Sequence, residues 1–235
     1  MDDYYKRVLR MFATGDPGWT PASLGASLTG WFDAQDGSTF IFNGSSVASW
    51  GNKGSAGGAA TNGTAAQQPA YDATGLNGRP CVKWSVIPQF LTSIVPTGVA
   101  TFTVLAVVMH TYAASKFLFS ATIGSGWRVQ LTTAGAAQLF GSLSTTASDA
   151  GALSDAVLVV YRCVYDATKA YHFVNGVDKN GGVGTTANGG GDLILGRSNT
   201  FLGPAALGEL LWYAGVMSAP DIALAEAYLT AKWGI

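Results

Sequence analysis

The chain is poor in charge. Only 11% of its 235 residues are Asp, Glu, Lys or Arg, against ~25% in ordinary soluble domains, so its surface has to be dressed with Ser, Thr, Asn, Gln, Gly and Ala. Thirteen Lys and Arg against 14 Asp and Glu leave a net charge of −1 with no basic stripe, which argues against a groove for nucleic acid. Cysteine and histidine are scarce too. Two of each, without ligand spacing, disfavour a zinc centre. Cys81 and Cys163 lie in separate strand-like runs and read as buried free thiols, with a single bridge as the alternative. Long apolar runs are missing: a membrane helix needs about 18 residues, and the best stretch, Val104 to Met109, is strand-like. The opening MDDYYKRVLRMF is acidic at its start and lacks the apolar centre of a secretory signal. The expectation is a chain that neither crosses a membrane nor leaves by the usual secretory route.

What is present is strand material. Period-two or wholly apolar runs alternate with Gly, Asn and Ser clusters, the pattern of an all-β sandwich. The runs are Gly30–Asp33, Val47–Trp50, Cys81–Trp84, Phe102–His110, Lys116–Ala121 and Trp127–Thr132, then Ala137–Ser142, Val157–Tyr165, Ala170–Val174, Leu193–Arg197 and Gly208–Val216. Both faces of Val157–Tyr165 are largely apolar, as in a central strand. Asn175-Gly176 after AYHFV predicts a tight hairpin turn, since both residues accept positive φ. The sequons Asn43-Gly44-Ser45 and Asn62-Gly63-Thr64 read as turns. The Gly- and Ala-rich stretch from Gly51 to Ala66 reads as an irregular exposed loop, either binding surface or padding.

Helical signals sit at the two ends. Ser218 three residues before Asp221 is a capping box, and Ile222, Ala225 and Leu229 with Leu224 and Tyr228 make an apolar stripe behind it. At the start, Tyr4, Tyr5, Val8, Leu9 and Phe12 recur at helical spacing, with Asp2 and Asp3 where the helix dipole favours acids. Such a helix is too short to stand alone. Its apolar face docks either on its own sandwich or on a neighbouring protein, for which these five residues are the candidate interface. Gly18 to Gly25 reads as a linker. The domain reading is therefore residues 1–27 as an amphipathic attachment arm and residues 28–235 as the folded body.

The segments GWFDAQDGSTF, VASWGNKGS, QQPAYDATGLNGRPCVKW and the closing AYLTAKWGI together resemble the concanavalin A-like lectin/glucanase (laminin G-like) domains of phage and bacterial surface proteins. Such domains open with W-x-D-A-x-D, continue through W-x-(D/N)-K-(S/G), P-x-Y and N-G-x-P-x-V, and often close with Y-L-x-x-K-W-G. The resemblance covers roughly residues 28 to 235. This chain departs from it at Trp84-Ser85-Val86, where Phe-Asp-Gly is common. The resemblance implies a two-sheet antiparallel jelly-roll sandwich, here with a short N-terminal and a C-terminal helix.

Glycosidases of that fold need paired carboxylates across the glycosidic bond, and this chain has two glutamates, Glu209 and Glu226, on separate elements. Its aspartates fall mostly in turn contexts. There is no G-x-S-x-G elbow, and His110 and His172 both sit in expected strands. The expectation is a protein that is not an enzyme and that has no catalytic residue. Asp33 and Asp36 in DAQDGS form a partial oxygen cluster, which makes calcium the one cofactor candidate beside a structural turn. For sugar, exposed aromatic faces beside hydrogen-bonding groups point to Tyr112, Trp127 and Arg128, with Trp127 as a core residue the alternative. Trp31, Trp50, Trp84, Trp212 and Trp233 read as core.

What the resemblance implies, joined to the uncharged surface, the missing secretory signal and the appended helix, is a structural or adhesive virion protein of a phage-like particle: a capsid decoration, head fibre, tail fibre or receptor-binding component. It would be assembled in the host cytoplasm as a homo-oligomer and joined to other virion proteins through its first helix. Host-surface glycans are the candidate ligand, and nucleic acid and membrane are not expected partners. A polysaccharide-cleaving enzyme and a free bacterial lectin are the alternatives.

Overall fold

The computed structural model describes residues 19–86, 88–111, 116–121, 128–134, 136–140, 145–147, 153–179, 182–184, 191–196 and 206–235. Its strands in chain order begin with β1 (Leu28–Asp33), β2 (Phe40–Asn43), β3 (Ser46–Gly51), β4 (Ala59–Thr61), β5 (Ala70–Leu76) and β6 (Arg79–Lys83). They continue with β7 (Leu91–Pro96), β8 (Phe102–Met109), β9 (Lys116–Ala121), β10 (Arg128–Leu131), β11 (Ala137–Phe140) and β12 (Thr145–Ala147). The last are β13 (Leu158–Tyr165), β14 (Lys169–Val174), β15 (Val177–Asp178), β16 (Val183–Gly184), β17 (Asp192–Leu195) and β18 (Ala206–Ala214). One helix, Ala219–Trp233, follows them.

Pairing is antiparallel throughout the described residues and builds two layers. One runs β1-β18-β8-β13-β14, with β15 and β16 on its outer edge. The other runs β2-β3-β4-β7-β17-β9-β10-β11-β12. The β5–β6 hairpin bridges them, reaching β18 at Leu207↔Val82 and β3 at Ser46↔Ala70. Aromatic rings lock the layers face to face: Phe119 of β9 meets Trp212 of β18 at 5.6 Å, and Phe32 of β1 meets Trp50 of β3 at 5.6 Å. The expected all-β sandwich is what the chain forms.

Local chemistry explains each element. The apolar density of β8, buried at every position from Phe102 to Val108, follows from its place between β18 and β13. The run 158–165 is likewise interior, between β8 and β14. Asn175 and Gly176 turn the chain at φ 49° and 77°, the positive pair that a two-residue hairpin of this hand requires. Ser218 caps the helix, its hydroxyl accepting from the Asp221 amide at 3.3 Å and donating to the Asp221 carboxylate at 2.7 Å. Leu224, Ala225, Leu229 and Trp233 are the buried face. Trp233 lies so close over β18 that a Cβ on Gly208 would meet its ring at 2.6 Å.

Three expectations change. The stretch from 51 to 66 is not loose: it contains β4, and Asn52 ties it down. Asn52 Oδ1 accepts from the amides of Trp31 (2.7 Å) and Gly54 (2.9 Å), while its Nδ2 donates to the carbonyls of Thr29 (2.9 Å) and Gly57 (3.0 Å). Part of the supposed linker is packed on the body, since Trp19 is 5% exposed, stands edge-on to Tyr228 at 5.7 Å, and leads into a 3₁₀ turn, Pro21–Ser27. Strands β2, β4, β5, β7, β12, β15 and β16 escaped the sequence reading. β4, β12, β15 and β16 are two or three residues long and β5 is rich in Ala, Thr and Gly, so pairing with neighbours makes them strands, whereas β2 (FIFN) and β7 (LTSIVP, buried at alternate positions) carry strand-favouring residues of their own. The expected N-terminal helix and its interface residues Tyr4, Tyr5, Val8, Leu9 and Phe12 lie outside the described residues.

Candidate functional site

The motif residues that suggested a binding protein do meet, but they meet in a closed cluster. Asp33 and Glu209 are cross-strand partners on β1 and β18, and Lys232 from the helix reaches both, at 2.7 Å from Asp33 Oδ1 and 2.8 Å from Glu209 Oε2. Both indoles beside it donate to Glu209, Trp31 Nε1 at 2.8 Å and Trp233 Nε1 at 2.9 Å. Lys53 holds the outer side, 3.2 Å from Asp33 Oδ2 and 2.8 Å from Asp36 Oδ2. Glu209 is 0% exposed, and its carboxyl is pushed above the ordinary range by burial and by the neighbouring Asp33, against the pull of Lys232. Burial, with Glu209 and Asp33, pushes the Tyr228 hydroxyl up as well. Asp36 is held below its ordinary value by the Lys53 and Ser38 hydrogen bonds.

This cluster bears on two candidates from the sequence. Asp33 and Asp36, weighed for calcium, have their oxygens turned to two ammonium groups, and among the described residues no group of three or more His, Cys, Asp or Glu side chains is placed to hold a metal ion. Asp33 is a buried end-of-strand residue, not a surface turn. The remaining titratable groups of the core are also engaged. His110 Nε2 lies 2.9 Å from the Thr132 carbonyl, and His172 Nδ1 lies 2.6 Å from the Tyr161 hydroxyl. Burial lowers His172 to about 4. Arg162 of β13 pairs with Glu226 of the helix and lies over the Phe173 ring. Cys81 and Cys163 are free, buried thiols raised by burial to about 11 and about 12, too high to act as nucleophiles at neutral pH.

An open site lies elsewhere, at the outer end of β2, β3 and β5. The β2–β3 hairpin turns at Gly44, φ 62°, and β5 is pinned beneath it by two bonds, Tyr71 N–H to the Ser45 carbonyl (3.1 Å) and Val47 N–H to the Pro69 carbonyl (2.8 Å). A groove of ≈ 270 Å³ opens here, lined by Phe42, Gly44, Ser45, Tyr71 and Ala73. Its floor is rigid because the rings continue inward. Phe42 and Tyr71 meet edge to face at 5.1 Å, Phe42 stacks on Phe40 at 5.4 Å, and Phe40 stacks on Trp50 at 5.3 Å. Each such pair contributes ~0.5–1.5 kcal/mol beyond burial. The exposure gradient along this column is steep: 44% at Phe42, 9% at Phe40, 0% at Trp50. Ile41 beside it is 65% exposed. None of the five lining residues is charged. The ion pair of Asp72 with Lys83 is carried by the other face of β5, since neighbouring side chains on a strand point opposite ways. Partial burial raises the Tyr71 hydroxyl, so it stays a neutral hydrogen-bonding group.

The sugar candidates from the sequence are not brought to this groove. Arg128 begins β10, half-buried between Ser120 and Phe140, and burial lowers its pKa. Tyr112 and Trp127 lie outside the described residues. Phe42 and Tyr71 were missed. Tyr71 is the tyrosine of the P-x-Y segment, and Phe40 and Phe42 alternate along one face just before an Asn-Gly turn, which was the available signal.

No protein-family model matches this chain, and no curated protein matches it in sequence. Solved structures do. Domain 4 of an extracellular arabinanase from Geobacillus stearothermophilus, in complex with arabinotriose, is similar with a TM-score of 0.53 and 17% identity, over 86% of this chain and 98% of that one. The Trypanosoma rangeli sialidase in complex with sialic acid is similar with a TM-score of 0.54 and 13% identity, over 97% of this chain and 39% of that one. A leech intramolecular trans-sialidase matches 54% of this chain at a TM-score of 0.41 and 16% identity. The chain thus spans well under half the length of both sialidases. The likenesses to the arabinanase domain and the Trypanosoma sialidase define the class of fold, an antiparallel β-sandwich.

Proposed function

We propose that the chain is a non-enzymatic adhesion module of concanavalin A-like type that holds a glycan in the Phe42–Tyr71 groove. The observation that carries this reading is the aromatic column: a solvent-facing ring, fixed from behind by stacked neighbours, beside hydroxyl and backbone groups in a lining without charge. Sugar rings present apolar C–H faces ringed by hydroxyls, and such a surface matches them without the ordering cost of mobile side chains. The arabinotriose bound to the Geobacillus domain supports a sugar as the occupant. The lack of an open pair of facing acids among the described residues supports holding over cleaving, since Asp33 and Glu209 are buried around Lys232.

Titration with a glycan panel tests it, read by calorimetry or nuclear magnetic resonance and including arabinotriose and an acidic sialyl-oligosaccharide. Neutral oligosaccharides bind, and Phe42→Ala weakens them by about tenfold, the equivalent of ~1.4 kcal/mol. Retained affinity in Phe42→Ala and Tyr71→Ala, with loss in Trp127→Ala or Arg128→Ala, would move the site to the residues first picked from sequence.

The amphipathic spacing of Tyr4, Tyr5, Val8, Leu9 and Phe12 favours the finer reading of a virion component whose first helix docks on another particle protein. Deleting residues 1–15 then abolishes incorporation while leaving glycan binding intact; a free lectin loses nothing.

A further inference from the structure

The Asp33–Lys232–Glu209 cluster has the parts of a bond-forming site. We propose that Lys232 and Asp33 condense to an intramolecular amide, with Glu209 as the proton carrier, stapling the C-terminal helix to strand β1. The geometry is that of reactants in contact. Lys232 Nζ is 2.7 Å from Asp33 Oδ1, and the same nitrogen is 2.8 Å from Glu209 Oε2. Asp33 and Glu209 are register partners on paired strands, so one ammonium group bridges two carboxylates held by β-sheet geometry. Close, fixed reactants of this kind reach high effective concentrations.

The surroundings keep water away from the reacting groups. The side chains of Glu209, Asp33 and Lys232 are 0%, 7% and 17% exposed, and Trp31, Trp233 and Tyr228 wall the cluster. Burial and the neighbouring Asp33 raise the Glu209 carboxyl above its ordinary value, against the pull of Lys232, which suits it to pass a proton between its neighbours. Glu209 carries one proton of the Lys232 ammonium to the Asp33 carboxylate, so that a neutral amine faces a neutral acid. The nitrogen lone pair adds to Asp33 Cγ, and the carbonyl electrons move to oxygen beside the Lys53 ammonium, which lies 3.2 Å from Asp33 Oδ2. Glu209 then takes a second proton from the nitrogen and delivers it to the departing hydroxyl, which leaves as water. One ammonium and one carboxylate become one amide and one water, and Glu209 ends as it began. Lys53 does not compete as nucleophile because it is turned to Asp36 at 2.8 Å and no Glu209 contact serves it.

The test is the intact mass of the denatured 235-residue protein together with its tryptic map. The expected mass is one water below that of the sequence, and trypsin, unable to cut after an amidated lysine, releases a branched peptide joining the Asp33 and Lys232 segments. Lys232→Arg and Glu209→Gln both return the full mass. Should Glu209→Gln fail to fold, the wild-type measurement still decides. Full mass and two separate linear peptides after prolonged incubation of the folded protein overturn the proposal and leave an ion pair; a branch at Lys53 overturns the assignment of the nucleophile.

Discussion

The closed cluster around Glu209 and the open groove at Phe42 are opposites in how they are encoded. The cluster draws on the most distinctive segments of the chain, GWFDAQD, WGNKG and YLTAKWG, and uses them up: the carboxylate oxygens of Asp33 and Glu209 are all met by ammonium, indole or hydroxyl partners. The groove draws on FIFNGS and on PAYDA, the P-x-Y stretch, and leaves its aromatic edge to solvent. Motif density here marks where the fold is sealed, because a buried charge without a partner is far more costly than an exposed ring without one. The place free to bind is the one that stability does not need.

That contrast can be broken by substitutions. Glu209→Ala takes one of two carboxylates from Lys232 and the acceptor from two indole N–H groups, and should lower unfolding stability by about 3–5 kcal/mol in urea titration while the folded fraction keeps the glycan affinity proposed for the groove. His172 comes next. Its folded value of about 4 lies below the ordinary 6.5, so between these pH values the unfolded chain binds the extra proton. Stability from this group is full above 6.5 and is lost as pH falls to about 4, a drop of roughly 3 kcal/mol at about 1.36 kcal/mol per unit. Thermal melts across that window should show the decline, and His172→Gln should flatten it. Asn52→Ala removes four hydrogen bonds, two that tether the 51–58 turn to β1 and two that close the turn itself, and should cost about 2 kcal/mol, with faster amide exchange at Trp31 and Gly54. Phe42→Ala, which gives up two ring contacts at a half-exposed position, should have the smallest effect on stability, about 1 kcal/mol, and the largest on the proposed sugar binding. A groove mutant that unfolds the protein, or a Glu209 variant that abolishes binding without unfolding it, would erase the distinction.

How much of this was readable in advance depended on range. Strands with a rhythm of their own were placed locally, and one of them, Lys116–Ala121, to the residue. The capping box at Ser218 and the Asn175-Gly176 turn were equally local and equally clear. β4 and β5 were not, because Ala, Gly and Thr have no pattern of their own and follow their neighbours. Glu209 looked solitary in sequence and Asp33 looked like a turn residue; both readings failed because their partner Lys232 comes from the far end of the chain. Phe42 read as nothing in particular, since exposure depends on which strands end beside it.

By itself, the amino-acid order determined most of the strands, the closing helix and the scarcity of charge, because alternation and capping act between residues a few positions apart. Only the tertiary structure decided that Asp33, Glu209 and Lys232 share one buried site and that Phe42 stands open to solvent. Those outcomes depend on how two sheets stack and where the last helix lands, and contacts between distant segments leave no periodic trace in the chain that makes them.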